Sequence, residues 1–424
     1  METILLGLLL LLLALYGTPL FALISAIALL LFYFADIEPT VMIVELYKMA
    51  QNPILPAIPL FTFSGYLLAE SNAPTRLINF FRAIFGWMPG GLAVVTLLSY
   101  ALFTALTGAS GVTIIALGGL LFPILLRENY PEKFSLGLLT SSGDVGVMFP
   151  PSLPIIVYAL ISNVEVDKLF LAGILPGVLM IVLLSLYSIF YIKDRQLPTT
   201  PFNFGQALRA TREAIWELAL PVIIIGGIYG GLFTATQAAA VTAFYTLVVE
   251  VFIYRDIKIR RDLPRVMRES MVLVGGILVI IGAALGLANY MVDAEIPNKI
   301  LAFMQSLVSS RLMFLIMLNI FLLIVGALMD IFSAILVIVP LIAPIAASYG
   351  VDPVHLGIIF LANLGIGYTT PPVGINLFIA SFRFDRPVIK LYVACLPFLL
   401  FLVIALLIIT YVPELSLLLV PASP

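Results

Sequence analysis

Apolar residues run through almost the whole chain, and polar residues arrive in short bursts between them. Residues 3–16 and 19–34 are apolar runs parted by "YGTP", which predicts two short helices. The first has no basic stretch ahead of it and flows into the second, so it reads as a retained helix and not a cleaved signal. Residues 38–52 have an amphipathic helical period, the pattern of a helix lying in the membrane interface. Residues 54–70 and 168–191 read as spans, whereas 74–87 carry Arg76 and Arg82 and belong near the membrane surface. Two further apolar segments are interrupted. The run 90–126 has "TGASG" at its centre, so it is either two full spans or a re-entrant hairpin. The run 134–160 contains "SSGDVGVMFPPSLP" (141–154), which sets an acid, two glycines and a proline pair inside a span.

The pattern then repeats at an offset of about 221 residues. "KLFLAGILP" (168–176) matches "KLYVACLP" (390–397), and "APTRLINFF" (73–81) matches "IPNKILAFM" (296–304). Pro123 precedes Pro150-Pro151 by 27 residues, Pro344 precedes Pro371-Pro372 by the same 27, and Gly146 falls opposite Gly367. Two equivalent halves are the simplest account: 1–200 and 213–424, joined by a polar, proline-bearing linker centred on 201–212. The hairpins fall at 90–127 and 311–345, and the broken helices at 134–160 and 353–382.

Composition sets the class. With 62% hydrophobic and 10% charged residues and a mean hydropathy of +1.18, a chain of 424 residues has too little interior to hide its apolar surface. It reads as an all-α polytopic membrane protein. A net charge of −2 gives no reason to expect a nucleic-acid partner. The lone Cys395 excludes a disulfide within the chain, and the lone His355, read as a loop residue after "SYGVDP", argues against a histidine metal site.

Charge also decides between the two readings of 90–126. With a re-entrant hairpin, each half has five full spans. One side of the membrane then collects Arg76, Arg82, Arg127, Lys133, Lys193, Arg195, Arg209, Arg212, the six basic residues from Arg255 to Arg268, Arg383, Arg386 and Lys390. That is 17 of the 21 basic residues, leaving Lys48, Lys168, Lys299 and Arg311 opposite. The positive-inside rule makes the rich side cytoplasmic and places both termini outside. An odd span count inverts the second half relative to the first, and inverted halves around broken helices are a transporter architecture.

Four polar breaks now stand at corresponding places: "TGASGVT" (107–113) with "GALMDIFS" (326–333), and "SSGDVGVMFPPS" (141–152) with "ANLGIGYTTPPVGIN" (362–376). Proline removes a backbone donor and glycine tolerates an unwound backbone. The freed carbonyls must be buried in protein or line a wet cavity. Carbonyl and hydroxyl oxygens suit Na⁺, and half-helix N-termini suit an anion. A single break is explained equally well as an ordinary kink; four breaks paired by a repeat point to a binding site. Asp144 and Asp330 sit at membrane depth, where a charge costs about 2.5–3.5 kcal/mol on insertion scales, so each is either functional or a cap for a half-helix.

At these motifs the chain resembles the large membrane subunit of TRAP transporters, the tripartite ATP-independent periplasmic family. The residues that carry the resemblance are "IPLFTFSGYLLAES" (58–71), "MPGGLAVV" (88–95), "TGASGVTIIALGGLLFPILL" (107–126), "FPPSLPIIVYA" (149–159) and "VDPVHLGIIFLANLGIGYTTPPVGINLF" (351–378). The resemblance implies an elevator-type fold in which the hairpins and broken helices move against a scaffold, driven by Na⁺ and without another cofactor. It implies a soluble periplasmic binding protein that delivers an organic anion, a small four-helix membrane subunit expected as a separate chain, and the bacterial inner membrane. It places one Na⁺ site at Thr107, Gly108, Gly146 and Phe149 and another at Gly326, Met329, Gly367 and Thr370. Substrate is expected near Ser110, Asp144, Ser152, Asp330 and Asn376; Asp144 departs from the small residue common in the family, which leaves the substrate open.

Two rivals stand beside this reading. A stand-alone Na⁺-coupled carboxylate carrier would need no binding protein, and "GYTTPPVG" with "GGLLFPILL" weighs against it. An intramembrane aspartyl protease would pair Asp144 with Asp330, but Ser141 and Met329 break the Gly-x-Gly-Asp and Tyr-Asp patterns such enzymes use, and no enzymatic activity is expected.

Overall fold

The computed structural model describes residues 12–13, 17–193, 201–308 and 310–421. The helix expected over 3–16 lies mostly outside them. Among the described residues the regular structure is entirely helical. This is the solution a bilayer imposes on a chain that must satisfy its own backbone. Seven of these helices are long and apolar enough to cross a membrane, or eight if one bent pair counts as a single span. Phe244 and Val272, each 70% exposed, stand on the outer face of such helices, where lipid rather than water is the matching solvent.

The 221-residue offset persists helix by helix. Ala73–Phe85 corresponds to Ile296–Leu307, Gly91–Thr107 to Arg311–Leu328, and Val166–Ile192 to Val388–Tyr411. One difference is local chemistry. Asp262–Asp293 is a continuous helix, whereas its counterpart is split into Thr40–Ala50 and Ala57–Glu70. Pro53 and Pro56 occupy that break, where the second half has Val274 and Ile277. The segment read as a linker is not extended: Phe204–Glu213 is a helix, capped by Asn203, whose side chain accepts from the Gln206 N–H at 3.1 Å. Its Arg209 and Glu213 face Asn79 and Arg82 across a shallow groove.

Both hairpins return to the face they entered from. In the first, Arg82 pairs with Glu128 at 2.8 Å, and the Tyr130 hydroxyl lies against the backbone of Leu92 and Ala93, so the hairpin's two ends meet. In the second, Tyr349 stacks on Phe314 with ring centroids 4.5 Å apart, and its hydroxyl donates to the Val308 carbonyl at 2.9 Å. The two bases lie at opposite ends of the molecule. Val166–Ile192 finishes beside Gly90, where a β-carbon would lie 3.5 Å from Ile189 Cα. Its counterpart Val388–Tyr411 starts near that end, after the Arg386–Glu132 ion pair, and finishes where Thr410 meets His355 and Asn319. The halves are therefore inverted.

The end that holds the first hairpin base also gathers basic residues and their acids. Arg76 lies at its centre, bonded to Glu217, to Glu250 at 3.0 Å and to Asp256 at 2.6 Å, with its guanidinium 3.7 Å from the Tyr254 ring centroid. The Glu217 and Glu250 side chains have no solvent exposure. Burial works against charge on Asp256, yet hydrogen bonds from Arg76 and Asn72 hold its carboxyl below the usual range. One arginine of the first half thus joins three acids of the second.

Each hairpin packs on a broken helix too closely to admit a side chain at the glycine in between, at the second hairpin's tip and along the first hairpin's entering arm. A β-carbon at Gly367 would lie 2.5 Å from Gly326 Cα, and one at Gly146 would lie 2.6 Å from the Ala101 carbonyl oxygen. Gly367→Ala is therefore expected to force the second tip off its seat and to cost about 1–3 kcal/mol. Thermal unfolding of the purified protein followed by size-exclusion fluorescence checks this, and an unchanged midpoint would contradict the contact. Arg76→Gln leaves two buried carboxylates without their cation and is expected to destabilise by about 3–5 kcal/mol in the same assay.

Candidate ion and solute site at the hairpin tips

The first tip forms because Gly108 takes a left-handed conformation, φ 71°, and ends Gly91–Thr107 by donating its N–H to the Thr104 carbonyl at 2.7 Å. Ser110 then opens the returning arm. A β-carbon on Gly108 would lie 2.7 Å from Leu153 Cβ, so the tip rests on the second part of the broken helix. Three hydroxyls cluster beneath it. Thr104 Oγ1 donates to Thr113 Oγ1 at 2.8 Å, and Thr107 Oγ1 lies 3.5 Å from that same oxygen.

The first broken helix begins as Glu132–Ser141, tightens to a 3₁₀ turn over Ser142–Met148, becomes extended at Phe149 and resumes as Leu153–Ser162. Pro150-Pro151 is a cis pair, as is Pro371-Pro372 in the second half. The Gly146 carbonyl accepts from Phe149 N–H at 3.1 Å. The Phe149 ring sits over Gly177, so this residue offers the tip region its backbone and not its side chain.

The second tip is built differently. Met329 is extended, φ −123°, at the position equivalent to Gly108. Asp330 caps Ile331–Ser348: its Oδ1 accepts from the N–H groups of Phe332 and Ser333, each at 3.0 Å, and its Oδ2 accepts from the Ser333 hydroxyl. The Tyr368 hydroxyl takes the Ile331 N–H, and Gly374 donates its N–H to the Ala327 carbonyl at 3.0 Å. Pro353–Gly367 ends there, and the chain resumes as Ile375–Phe384. Thr370 Oγ1 donates to the Ile366 carbonyl at 2.8 Å, which leaves its lone pairs free to accept.

Between the tips lies a chain of buried polar side chains. Ser110 Oγ donates to Asn376 Oδ1 at 3.0 Å, and Asn376 Nδ2 donates to Asp144 Oδ1 at 2.6 Å. Asp144 Oδ2 and the hydroxyls of Ser141 and Ser152 are buried without a hydrogen-bond partner. A first hairpin, a first broken helix and a second broken helix, far apart in sequence, are thus joined through three side chains.

Of the residues singled out in the sequence, Ser110, Asp144 and Asn376 meet directly. Thr107 and Gly108 gather around the first tip, and Gly146 packs on the helix that leads to it. Gly326, Met329, Gly367 and Thr370 gather around the second. Ser152 is buried one residue past the proline pair, and Asp330 spends its carboxylate on its own helix.

Thr104, Thr113, Tyr368 and Gly65 were not singled out. A β-carbon at Gly65 would lie 2.5 Å from Thr107 Cα, so helix Ala57–Glu70 touches the tip backbone directly. Their only sequence signal is a polar or small residue in an apolar helix, which a packing role explains equally well. His355 is not in a loop. Asp352 caps a helix that starts at Pro353, which carries His355 into a fully buried position with Nε2 3.3 Å from the Thr410 carbonyl. Nearby, Asn363 Nδ2 donates to Asn319 Oδ1 at 2.8 Å and Asn319 Nδ2 to Thr410 Oγ1 at 3.1 Å.

The family described as "Tripartite ATP-independent periplasmic transporter, DctM component" matches residues 6–415. The chain is 39% identical over 375 residues to the C4-dicarboxylate TRAP transporter large permease protein DctM of Pseudomonas aeruginosa, covering 88% of each. It is 32% identical over 389 residues to the ectoine/5-hydroxyectoine TRAP transporter large permease protein UehC of Ruegeria pomeroyi, covering 91% of each. Among solved structures, the Alcanivorax borkumensis YdaH transporter shares the fold, with a TM-score of 0.65 at 14% identity over 90% of this chain and 89% of that one. Matched along nearly its whole length, the chain belongs to the DctM-component family of tripartite ATP-independent periplasmic transporters.

Proposed function

We propose that this permease takes up a small carboxylate-bearing solute by Na⁺ symport through an elevator motion. The observation that carries the proposal is the meeting, from opposite faces, of two re-entrant tips with two unwound helices. Na⁺ is supported by the donor set. Around the first tip stand the hydroxyls of Thr104, Thr107 and Thr113 with the unwound backbone from Gly146 to Phe149; around the second, the backbone from Gly326 to Met329 and from Gly367 to Thr370. The solute is supported by Ser110, Asn376 and Asp144 between the tips, by Ser152 nearby, and by the N-terminus of the Ile375 helix, which no side chain caps. The relatives' names add C4-dicarboxylates and ectoines as cargo classes.

The moving body in this reading comprises both hairpins, both broken helices and the helices Val166–Ile192 and Val388–Tyr411. The scaffold comprises the remaining helices, held together by the Arg76 cluster and by a 2.9 Å contact between the Ser64 and Thr246 hydroxyls. A periplasmic binding protein delivers the solute, and a separate four-helix subunit completes the scaffold. The protein sits in the inner membrane with its basic end in the cytoplasm and both termini outside.

Uptake by the reconstituted system is expected in Na⁺ medium and lost when K⁺ replaces it; equal uptake in both would end the symport reading. Thr370→Val removes a hydroxyl whose lone pairs are free, and a roughly tenfold rise in the Na⁺ concentration for half-maximal uptake is expected, about 1.4 kcal/mol.

Asp330 acts here through its cap, which orients the N-terminus of the second arm. Asp330→Ala is expected to cost about 0.5–2 kcal/mol in stability together with transport, while Asp330→Asn retains both, because asparagine caps as well as aspartate. Severe transport loss in Asp330→Asn at normal expression would show instead that the charge itself is required.

A further inference from the structure

The returning arm of the first hairpin, Ser110 to Arg127, contains a π turn over Ile114–Gly118. Such turns break the regular ladder and recur at functional sites. Arg383, an exposed residue on the last helix of the second broken pair, donates Nε to the Ile115 carbonyl at 2.8 Å. Its guanidinium packs against the arm at Gly119. A β-carbon at Gly119 would fall 1.6 Å from Nη2, so only glycine admits this placement. Arg383 makes no ion pair among the described residues. One edge of the fork is therefore fixed on the backbone, and its terminal N–H groups remain for another ligand.

Arg383 borders a cavity of about 530 Å³. Val112, Ala116 and Leu120 form one wall, and Tyr66, Glu70 and Glu269 of the proposed scaffold the other. The first wall follows a single arm, from two residues beyond Ser110 to the level of Gly119, about 10 Å at 1.5 Å per residue. The cavity thus runs from near the buried Ser110–Asn376–Asp144 chain toward the basic end. Glu70 is neutralised by Arg265, and Glu269 stands across from Arg383.

The first half has no such device. The position equivalent to Arg383 is Ser162, which bonds the Tyr158 carbonyl at 2.7 Å, and the arm Ile331–Ser348 runs without a π turn. We infer that Arg383 is an anion subsite on the release path of the carried solute, present on the basic face alone, where it accepts a carboxylate leaving the tips. This rests on the carboxylate reading above.

The test reads the local field and needs no knowledge of the cargo. Ala116→Cys in a Cys395→Ala background places a thiol in the cavity wall, and lipid nanodiscs leave both faces open. Its labelling rate is measured with a sulfonate-bearing and a trimethylammonium-bearing methanethiosulfonate, each normalised to a free thiol. Arg383→Gln is expected to lower the anion-to-cation rate ratio about fivefold at low salt, whereas Arg383→Lys keeps it. A change below twofold in Arg383→Gln, or an equal fall in Arg383→Lys, would overturn the subsite. Failure of Na⁺-dependent uptake would count against the transport reading and leave this ratio standing.

Discussion

Backbone that unwinds at membrane depth must find its partners in protein, and the rest of this architecture follows from that constraint. Each broken helix exposes carbonyls and amides that lipid cannot satisfy, at several kcal/mol per group. Each is covered by a hairpin tip that comes in close enough to exclude any side chain. Gly326 and Gly367 meet backbone to backbone, Gly374 bonds the Ala327 carbonyl, and Gly108 rests on Leu153. A hairpin whose tip is occupied in this way cannot continue across the membrane. It must return, and the arm that returns brings its own polar tip to the same depth.

Inversion gives the two tips similar positions but not the same chemistry. Gly108 turns left-handed and leaves three threonine hydroxyls beneath it, while Met329 is extended and hands the next arm to Asp330 as a cap. The polar chain between the tips is also lopsided: Ser110 and Asp144 come from the first half and Asn376 alone from the second. Two halves of similar architecture therefore enclose a polar chain that is not symmetric.

Much of this was legible in the sequence because proline and glycine leave marks that periodicity cannot hide. The proline 27 residues ahead of each proline pair, the 221-residue offset and the charge bias together mark the halves, the hairpins and the breaks. What the sequence did not reveal depends on a distant partner. Gly65 is an unremarked glycine until Thr107 is placed 2.5 Å from its missing β-carbon. His355 looked like a loop residue because "SYGVDP" reads as a turn, and only the Asp352 cap starts the helix early enough to bury it. Asn319 and Asn363 are 44 residues apart in sequence, and no local signal tells that they share a hydrogen bond. The polar, proline-bearing segment between the halves also contains a short helix, Phe204–Glu213, that its composition does not announce.

The distribution of polar locks bears on the proposed motion. Arg76 ties Glu217, Glu250 and Asp256 within the scaffold, and the Asn319–Asn363–Thr410 network lies within the moving body. Bonds between groups so deeply buried are costly to break, because each loses its partner without gaining water. Among the described ion pairs, the one that joins the two bodies is Arg82–Glu128, whose side chains are 37% and 27% exposed. A pair that open to water contributes on the order of 1 kcal/mol or less. At the first tip the bodies touch through Gly65 and the Thr107 backbone, a contact without a charged group. The Tyr229 hydroxyl adds one neutral bond between the bodies, to the Asp167 carbonyl at 2.6 Å, at an exposed position where water can replace it. Charged, buried bonds inside each body and neutral or water-exposed ones between them are the condition under which two bodies can slide without either unfolding.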